Sequence, residues 1–109
     1  MQVQERDPNR FKAKIFKALS DPIRLEILDF LRDGEKCVCE ITPHLNLIQP
    51  LVSRHLKLLK DSGLVKGRKD GSKRLYSITD HRIFKIVDSL TPDIIDSLSK
   101  LIIEQIIVR

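Results

Sequence analysis

The stretch Cys37-Val38-Cys39-Glu40-Ile41-Thr42-Pro43-His44-Leu45-Asn46-Leu47-Ile48-Gln49-Pro50-Leu51-Val52-Ser53-Arg54-His55-Leu56-Lys57-Leu58-Leu59-Lys60 decides how this chain folds. From Gln49 to about Ser62, Val52, Leu56 and Leu59 recur at helical spacing, flanked by Leu51, His55 and Leu58. Ser53, Arg54, Lys57 and Lys60 fall on the other side, so this segment reads as a basic amphipathic helix. Before it, a short helix is expected within residues 39–45. Pro43 would leave the Cys39 carbonyl without a donor in a helix interior, so the helix is expected to begin near Cys39 or Glu40. Asn46 suits the left-handed turn between the two helices.

The chain around this pair reads outward as more helices and one hairpin. Asn9 is a candidate cap for a first helix to about Leu19, with Phe11, Ile15, Phe16 and Leu19 as its apolar stripe. Asp21 and Pro22 suit the cap and first position of a second helix to about Arg32, with Ile23, Ile27, Phe30 and Leu31 facing inward. Gly34 follows as its stop. Asp70-Gly71 separates residues 64–69 from 73–78, a hairpin signal. A fifth helix is expected from about Asp80 to Ser89, and a sixth, capped by Thr91, to about Val108. The apolar set of the sixth (Ile94, Ile95, Leu98, Leu101, Ile102, Ile103, Ile106, Ile107) is too wide for the surface of a small monomer. The expected architecture is mainly α with a small β-hairpin: a winged helix-turn-helix of about six helices and a two-stranded wing. Residues 1–109 read as a single domain with N- and C-terminal dimerisation helices.

Charge narrows the function. The formal net charge is +5, yet residues 48–76 alone carry eight bases and two acids, a net +6. A positive charge confined to one segment is an electrostatic footprint for phosphate. In such a fold the second helix of the pair fits the major groove of double-stranded DNA, and a basic hairpin reaches flanking phosphates or the minor groove. Gln49, Ser53, Arg54, His55 and Lys57 are the candidates on the helix, His55 for packing or a phosphate contact, and Arg68, Lys69, Lys73 and Arg74 those on the wing. No apolar stretch has the length of a membrane span, and Met1–Asp7 is polar without a signal core, which points to the cytoplasm. No nucleophile–base constellation or phosphate-cradling glycine loop argues for an enzyme.

The two cysteines, Cys37 and Cys39, are the candidate metal ligands. On a regular helix, residues two apart point about 200° from each other. In an extended segment they share a side. A loose helix start therefore permits chelation. Thiolates suit As(III), Cd, Pb, Cu(I) or Zn as an inducer, and no metal is expected to be needed for folding. Two sulfurs are incomplete for tetrahedral zinc, and three-coordinate As(III) would need an outside ligand. Two readings compete with metal sensing: a redox switch through the same sulfurs, and packing of two small residues at the helix start. His44 is too far along the helix to share an ion with Cys37, and His81 reads as solvent-exposed.

The chain resembles the ArsR/SmtB family of metal- and metalloid-responsive repressors. The resemblance lies in Ala18-Leu19-Ser20-Asp21-Pro22-Ile23-Arg24-Leu25-Glu26-Ile27-Leu28, Cys37-Val38-Cys39-Glu40-Ile41, Gln49-Pro50-Leu51-Val52-Ser53-Arg54-His55-Leu56-Lys57, Gly63-Leu64-Val65 and the Asp70-Gly71 wing ending at Tyr76. It implies a homodimeric repressor seated on operator DNA near its own promoter and released by an inducer. The family usually has a small hydroxyl residue where Ile48 stands. Arsenic-sensing members often have a third cysteine at the Thr42 position. Only Asp80 and His81 are available toward the C-terminal zinc site, so that site is not carried over. The alternative from another class is a metal- or thiol-handling protein that regulates no gene.

Overall fold

The computed structural model describes residues 7–108, with side chains through Ile107. Helices α1 (Pro8–Leu19) and α2 (Pro22–Phe30) come first, then strand β1 (Lys36–Cys37). Helices α3 (Val38–Leu45) and α4 (Gln49–Asp61) form the helix-turn-helix. Strands β2 (Val65–Asp70) and β3 (Lys73–Ile78) form the wing, followed by α5 (Ile83–Val87) and α6 (Pro92–Val108).

Both α1 and α2 start at an Asp-Pro pair. Asp21 Oδ1 accepts the backbone N–H of Ile23 at 2.8 Å, and Pro22 occupies the first turn, where its missing donor is harmless. The same arrangement corrects the start of α1. Asp7, not Asn9, is the cap, and its Oδ1 accepts the Asn9 N–H at 3.1 Å. Helix α2 ends at Phe30, short of Arg32, and Gly34 follows at φ +145°, a backbone conformation that side chains disfavour. Helix α5 is also shorter than the expected span of residues 80–89; at its start Asp80 turns back to accept the Arg82 N–H at 2.9 Å.

The sheet has three strands, not two, in the order β1-β3-β2. Lys36 pairs with Tyr76 and Cys37 with Leu75, antiparallel, so the segment before α3 is tied to the inner edge of the wing. Asp70 pairs with Lys73, which leaves Gly71-Ser72 as the two-residue turn, with Gly71 at φ +63° as a hairpin of this length requires. Gly67 lies opposite Tyr76, and a Cβ there would stand 3.0 Å from the ring. The ring covers the glycine and fills its gap in the ladder.

Ile27, Leu28, Leu31, Ile41, Val52, Leu56 and Leu59 are sealed from solvent. They come from α2, α3 and α4, and Val65, Tyr76, Ile78 and Phe84 close the core from the sheet and α5. Outside it, the apolar row of α6 is open, from Ile94 at 43% exposed to Ile107 at 73%. Phe11 and Phe16 of α1 are exposed as well. The radius of gyration is 16.8 Å, against roughly 13 Å for a compact chain of this length. The C-terminal helix stands away from the body.

Candidate nucleic-acid interface and its thiol pair

Helix α4 is fixed by its buried row, and the rest of its surface follows from that. Val52, Leu56 and Leu59 face the core, so Gln49, Ser53, Lys57 and Lys60 face outward toward the wing. Its N-cap is Ile48, which makes no side-chain capping bond. The Gln49 N–H therefore has no side-chain cap, Pro50 has no N–H, and the start of α4 carries the positive end of the helix dipole.

Between α4, the start of α3 and the wing lies an open groove of about 1000 Å³. Gln49, Ser53 and Lys57 line it from the helix, and Lys69, Lys73 and Arg74 from the wing. Lys60 and Ser72 line it too, although the sequence reading did not single them out for this role. Lys60 was visible on the outward face of α4; Ser72 gained its place only from the hairpin register. Lys57 is exposed and pairs with Asp61 at 3.0 Å.

Three candidates stand elsewhere. Arg54 is exposed on α4 but does not line the groove. Arg68 forms a two-pronged pair with Glu35, Nε and Nη2 each 2.9 Å from a carboxylate oxygen. That bond holds the Glu35 carboxyl below its ordinary range and the Arg68 guanidinium above its own. His55 takes the packing alternative rather than the phosphate contact. It is 7% exposed and packs inward, so it is not on the outer face of α4. Its Nδ1 lies 3.3 Å from Arg24 Nη1. A guanidinium only donates, so Nδ1 accepts, and a neutral ring carries its proton on Nε2. Arg24 also donates from Nε to the Ala18 carbonyl at 2.6 Å and from Nη2 to that of Lys17 at 3.2 Å. One side chain thus joins the end of α1 to α4. Burial acts to raise the neighbouring Asp21 carboxyl, but the N–H groups of Ile23 and Arg24, with the nearby Arg24 guanidinium, hold it low.

The cysteines open into the same groove. Cys37 is the N-cap of α3, extended at φ −77° and ψ 149°. Its Sγ accepts the Cys39 N–H at 2.9 Å, while Glu40 Oε1 accepts the Cys37 N–H at 2.9 Å. This is a reciprocal capping box with sulfur in place of a hydroxyl. It starts the helix at Val38, one residue before the expected range, and leaves Pro43 inside the helix rather than in its first turn. The extended cap turns both sulfurs to one side. The Cα atoms are 5.0 Å apart and the sulfurs are joined in a disulfide. Cys37 is 4% exposed; Cys39 is exposed. Once reduced, the two thiolates can face one soft ion. Among the described residues no third Cys, His, Asp or Glu completes a cluster, so another donor would come from outside. The Thr42 hydroxyl is buried without a hydrogen-bond partner among the described residues.

Known proteins share the sequence of the helix-turn-helix segment and the fold. The family described as bacterial regulatory protein, arsR family, matches residues 21–66. Over 72 residues the chain is 49% identical to an uncharacterized HTH-type transcriptional regulator of Methanocaldococcus jannaschii, covering 65% of this chain and 81% of that one. It is 50% identical over 64 residues to the arsenical resistance operon repressor of Staphylococcus xylosus, covering 59% of this chain and 62% of that repressor. Its structure is similar, at TM-score 0.76 and 28% identity, to a homodimeric winged helix-turn-helix DNA-binding domain from Mycobacterium bovis described as a possible ArsR-family transcriptional regulator. The alignment covers 89% of this chain and 93% of that one.

Proposed function

We propose that this chain, which belongs to the ArsR family of bacterial regulatory proteins, is an operator-binding repressor released by a thiophilic metal or metalloid at Cys37 and Cys39. The family is one of transcriptional regulators rather than enzymes. One observation carries the reading: the groove that α4 and the wing share is lined both by Lys57, Lys69, Lys73 and Arg74 and by the two cysteines. The cations neutralise phosphate and release counterions, and Gln49 and Ser53 at the N-terminal end of α4 reach base edges. Arg54 contacts the flanking backbone.

Effector binding is coupled to DNA through α3. Two thiolates gripping one ion hold residues 37–39 in the geometry the ion requires, with solvent, a small thiol or the second protomer as the outside ligand. The capping bonds from Cys39 N–H to Cys37 and from Cys37 N–H to Glu40 then compete with that geometry, and α3 packs directly on α4. An inducer shifts the equilibrium only by its differential affinity for the two states, on the order of 1–3 kcal/mol. The exposed apolar faces of α1 and α6 form a two-fold interface that sets two α4 helices about one turn of DNA apart, roughly 34 Å. No helix among the described residues is long and apolar enough to cross a membrane. The reading puts the protein with its operator in the cytoplasm.

A second reading, redox control, is favoured by the sulfur–sulfur bond itself. One titration tests both. Operator selected from a random DNA library, bound by reduced protein, is challenged with As(III), Cd(II), Zn(II) and a mild oxidant while fluorescence anisotropy is followed. Release by As(III) or Cd(II) that is lost in Cys37→Ser and Cys39→Ser supports the metal reading. Release by oxidant alone replaces it with the redox reading. Unaltered release of the double Ser variant by As(III) or Cd(II) moves the site elsewhere. An apo-protein that binds no DNA removes the repressor.

A further inference from the structure

We infer that Cys39 is a thiolation site, taking an anionic low-molecular-weight thiol as a mixed disulfide inside the groove between α4 and the wing, where the adduct's negative charge displaces DNA phosphate. The consequence for DNA rests on the reading above; the chemistry at sulfur does not.

Three observations meet at this place. The pair is asymmetric: Cys39 is exposed, whereas Cys37 is 4% exposed and engaged in capping α3. A reagent arriving from solvent meets the Cys39 sulfur first. The groove around it carries Lys57, Lys60, Lys69, Lys73 and Arg74 against one carboxylate, Asp61, itself paired with Lys57. A cleft of one sign concentrates small ions of the other. Finally, the extended backbone at Cys37 brings the two sulfurs within bonding reach, so a group placed on Cys39 can be removed again by its neighbour.

The chemistry is thiol–disulfide exchange with an anionic symmetrical disulfide as the oxidant. The Cys39 thiolate attacks one sulfur of that disulfide. A Cys39–sulfur bond forms, the reagent's own sulfur–sulfur bond breaks, and one small thiolate leaves and takes up a proton. The Cys37 sulfur then attacks Cys39 Sγ, gives up its proton, forms the Cys37–Cys39 bond and expels the second small thiol. In sum, the protein dithiol is oxidised by two electrons and the reagent is reduced to two thiols. An excess of the small thiol drives the steps backward. Between the two steps the groove holds an anionic adduct of several ångströms where DNA backbone would lie.

The test uses the reduced full chain, with oxidised glutathione as the anionic probe and cystamine as the cationic one. Cys37→Ser keeps an oxygen at the cap and removes the resolving sulfur, so the adduct accumulates. Intact mass should show one glutathionyl group on Cys37→Ser, formed about tenfold faster than on Cys39→Ser. In the Cys37→Ser background, Lys69→Gln with Lys73→Gln should slow glutathionylation about tenfold and leave the cystamine rate unchanged or faster. If Cys37→Ser does not fold, brief exposure of wild type followed by alkylation and peptide mapping should place the first adduct on Cys39. Equal or faster modification at Cys37, or rates blind to the charge of probe and groove, would overturn the site. The DNA arm compares Cys37→Ser before and after glutathionylation. Loss of DNA on modification supports displacement, and retained binding overturns it. If the unmodified variant and wild type both bind no DNA while Cys39 is thiolated selectively, the repressor reading falls and the thiolation site stands.

Discussion

The helix-turn-helix body and the C-terminal helix use the same kinds of residue to opposite ends. Leu56 and Leu59 of α4 are sealed from water, whereas Leu98, Leu101 and Ile102 of α6 are more than half exposed. Both helices are amphipathic at the same period. The body closes because α2, α3, α4 and the sheet meet from several sides. Helix α6 has no such enclosure among the described residues. The difference teaches that a helical apolar period alone does not bury a face; burial also needs elements that meet it from several sides, and on the proposed reading a second copy supplies them to α6.

The largest effect should come from opening the body. Leu56→Ala should lower stability by about 2–5 kcal/mol in urea unfolding, because its site is enclosed and cannot collapse fully. Leu58→Ala, two residues on but 45% exposed, should change stability by less than about 0.5 kcal/mol. Equal losses would erase the contrast between the inner and outer faces of α4.

Next comes the outer helix. Ile102→Asp should leave the body folded by near-native circular dichroism and sediment as a monomer, and should weaken operator binding by at least about a hundredfold because two linked half-site contacts become one. A variant that remains dimeric at micromolar concentration would assign the α6 face to something other than self-association.

Smaller effects distinguish parts of the wing. Lys69→Ala and Lys73→Ala should each reduce the slope of log affinity against log salt by about 0.9, the value for one phosphate contact. Arg68→Ala should reduce it less, since Arg68 is held by Glu35 at 2.9 Å on both prongs. An equal drop for Arg68 would show that DNA breaks the Glu35 pair.

The smallest effect is a pH dependence of that pair. Arg68 holds the folded Glu35 carboxyl below the ordinary glutamate value of 4.5. A depressed carboxyl contributes stability above its unfolded pKa and loses it as pH falls through the folded value. Arg68→Ala should therefore raise the Glu35 midpoint toward 4.5 in an NMR titration, and should leave stability near neutral pH almost unchanged because the pair is solvent-exposed. A midpoint that does not move would leave Arg68 out of the cause.

Much of the fold was readable along the chain because its signals are local. The Asp21-Pro22 start of α2, the Val52-Leu56-Leu59 row and the Asp70-Gly71 signal of the hairpin each lie within a few residues of what they specify. The Asp7-Pro8 start of α1 carries the same signal, with Asn9 a competing cap two residues on. Strand β1 could not be read from Lys36-Cys37, since two residues have no period and their pairing depends on Tyr76 and Leu75 far downstream. Nor could the Cys37 capping box, because a thiol is not an expected cap and Pro43 argued for a later start.

By itself, the sequence determined the order of helices, the face of α4 that is buried, and a positive charge confined to residues 48–76. These depend on periodicity and composition, which are properties of neighbours. Tertiary structure decided which charges remain for a ligand. Folding brings Glu35 to Arg68 and Arg24 to His55, taking one predicted contact into an ion pair and another into the interior. It also brought Cys37 and Cys39 into the groove with Lys69, Lys73 and Arg74. Packing forms such groups from residues some thirty positions apart, and no local period can encode their distance.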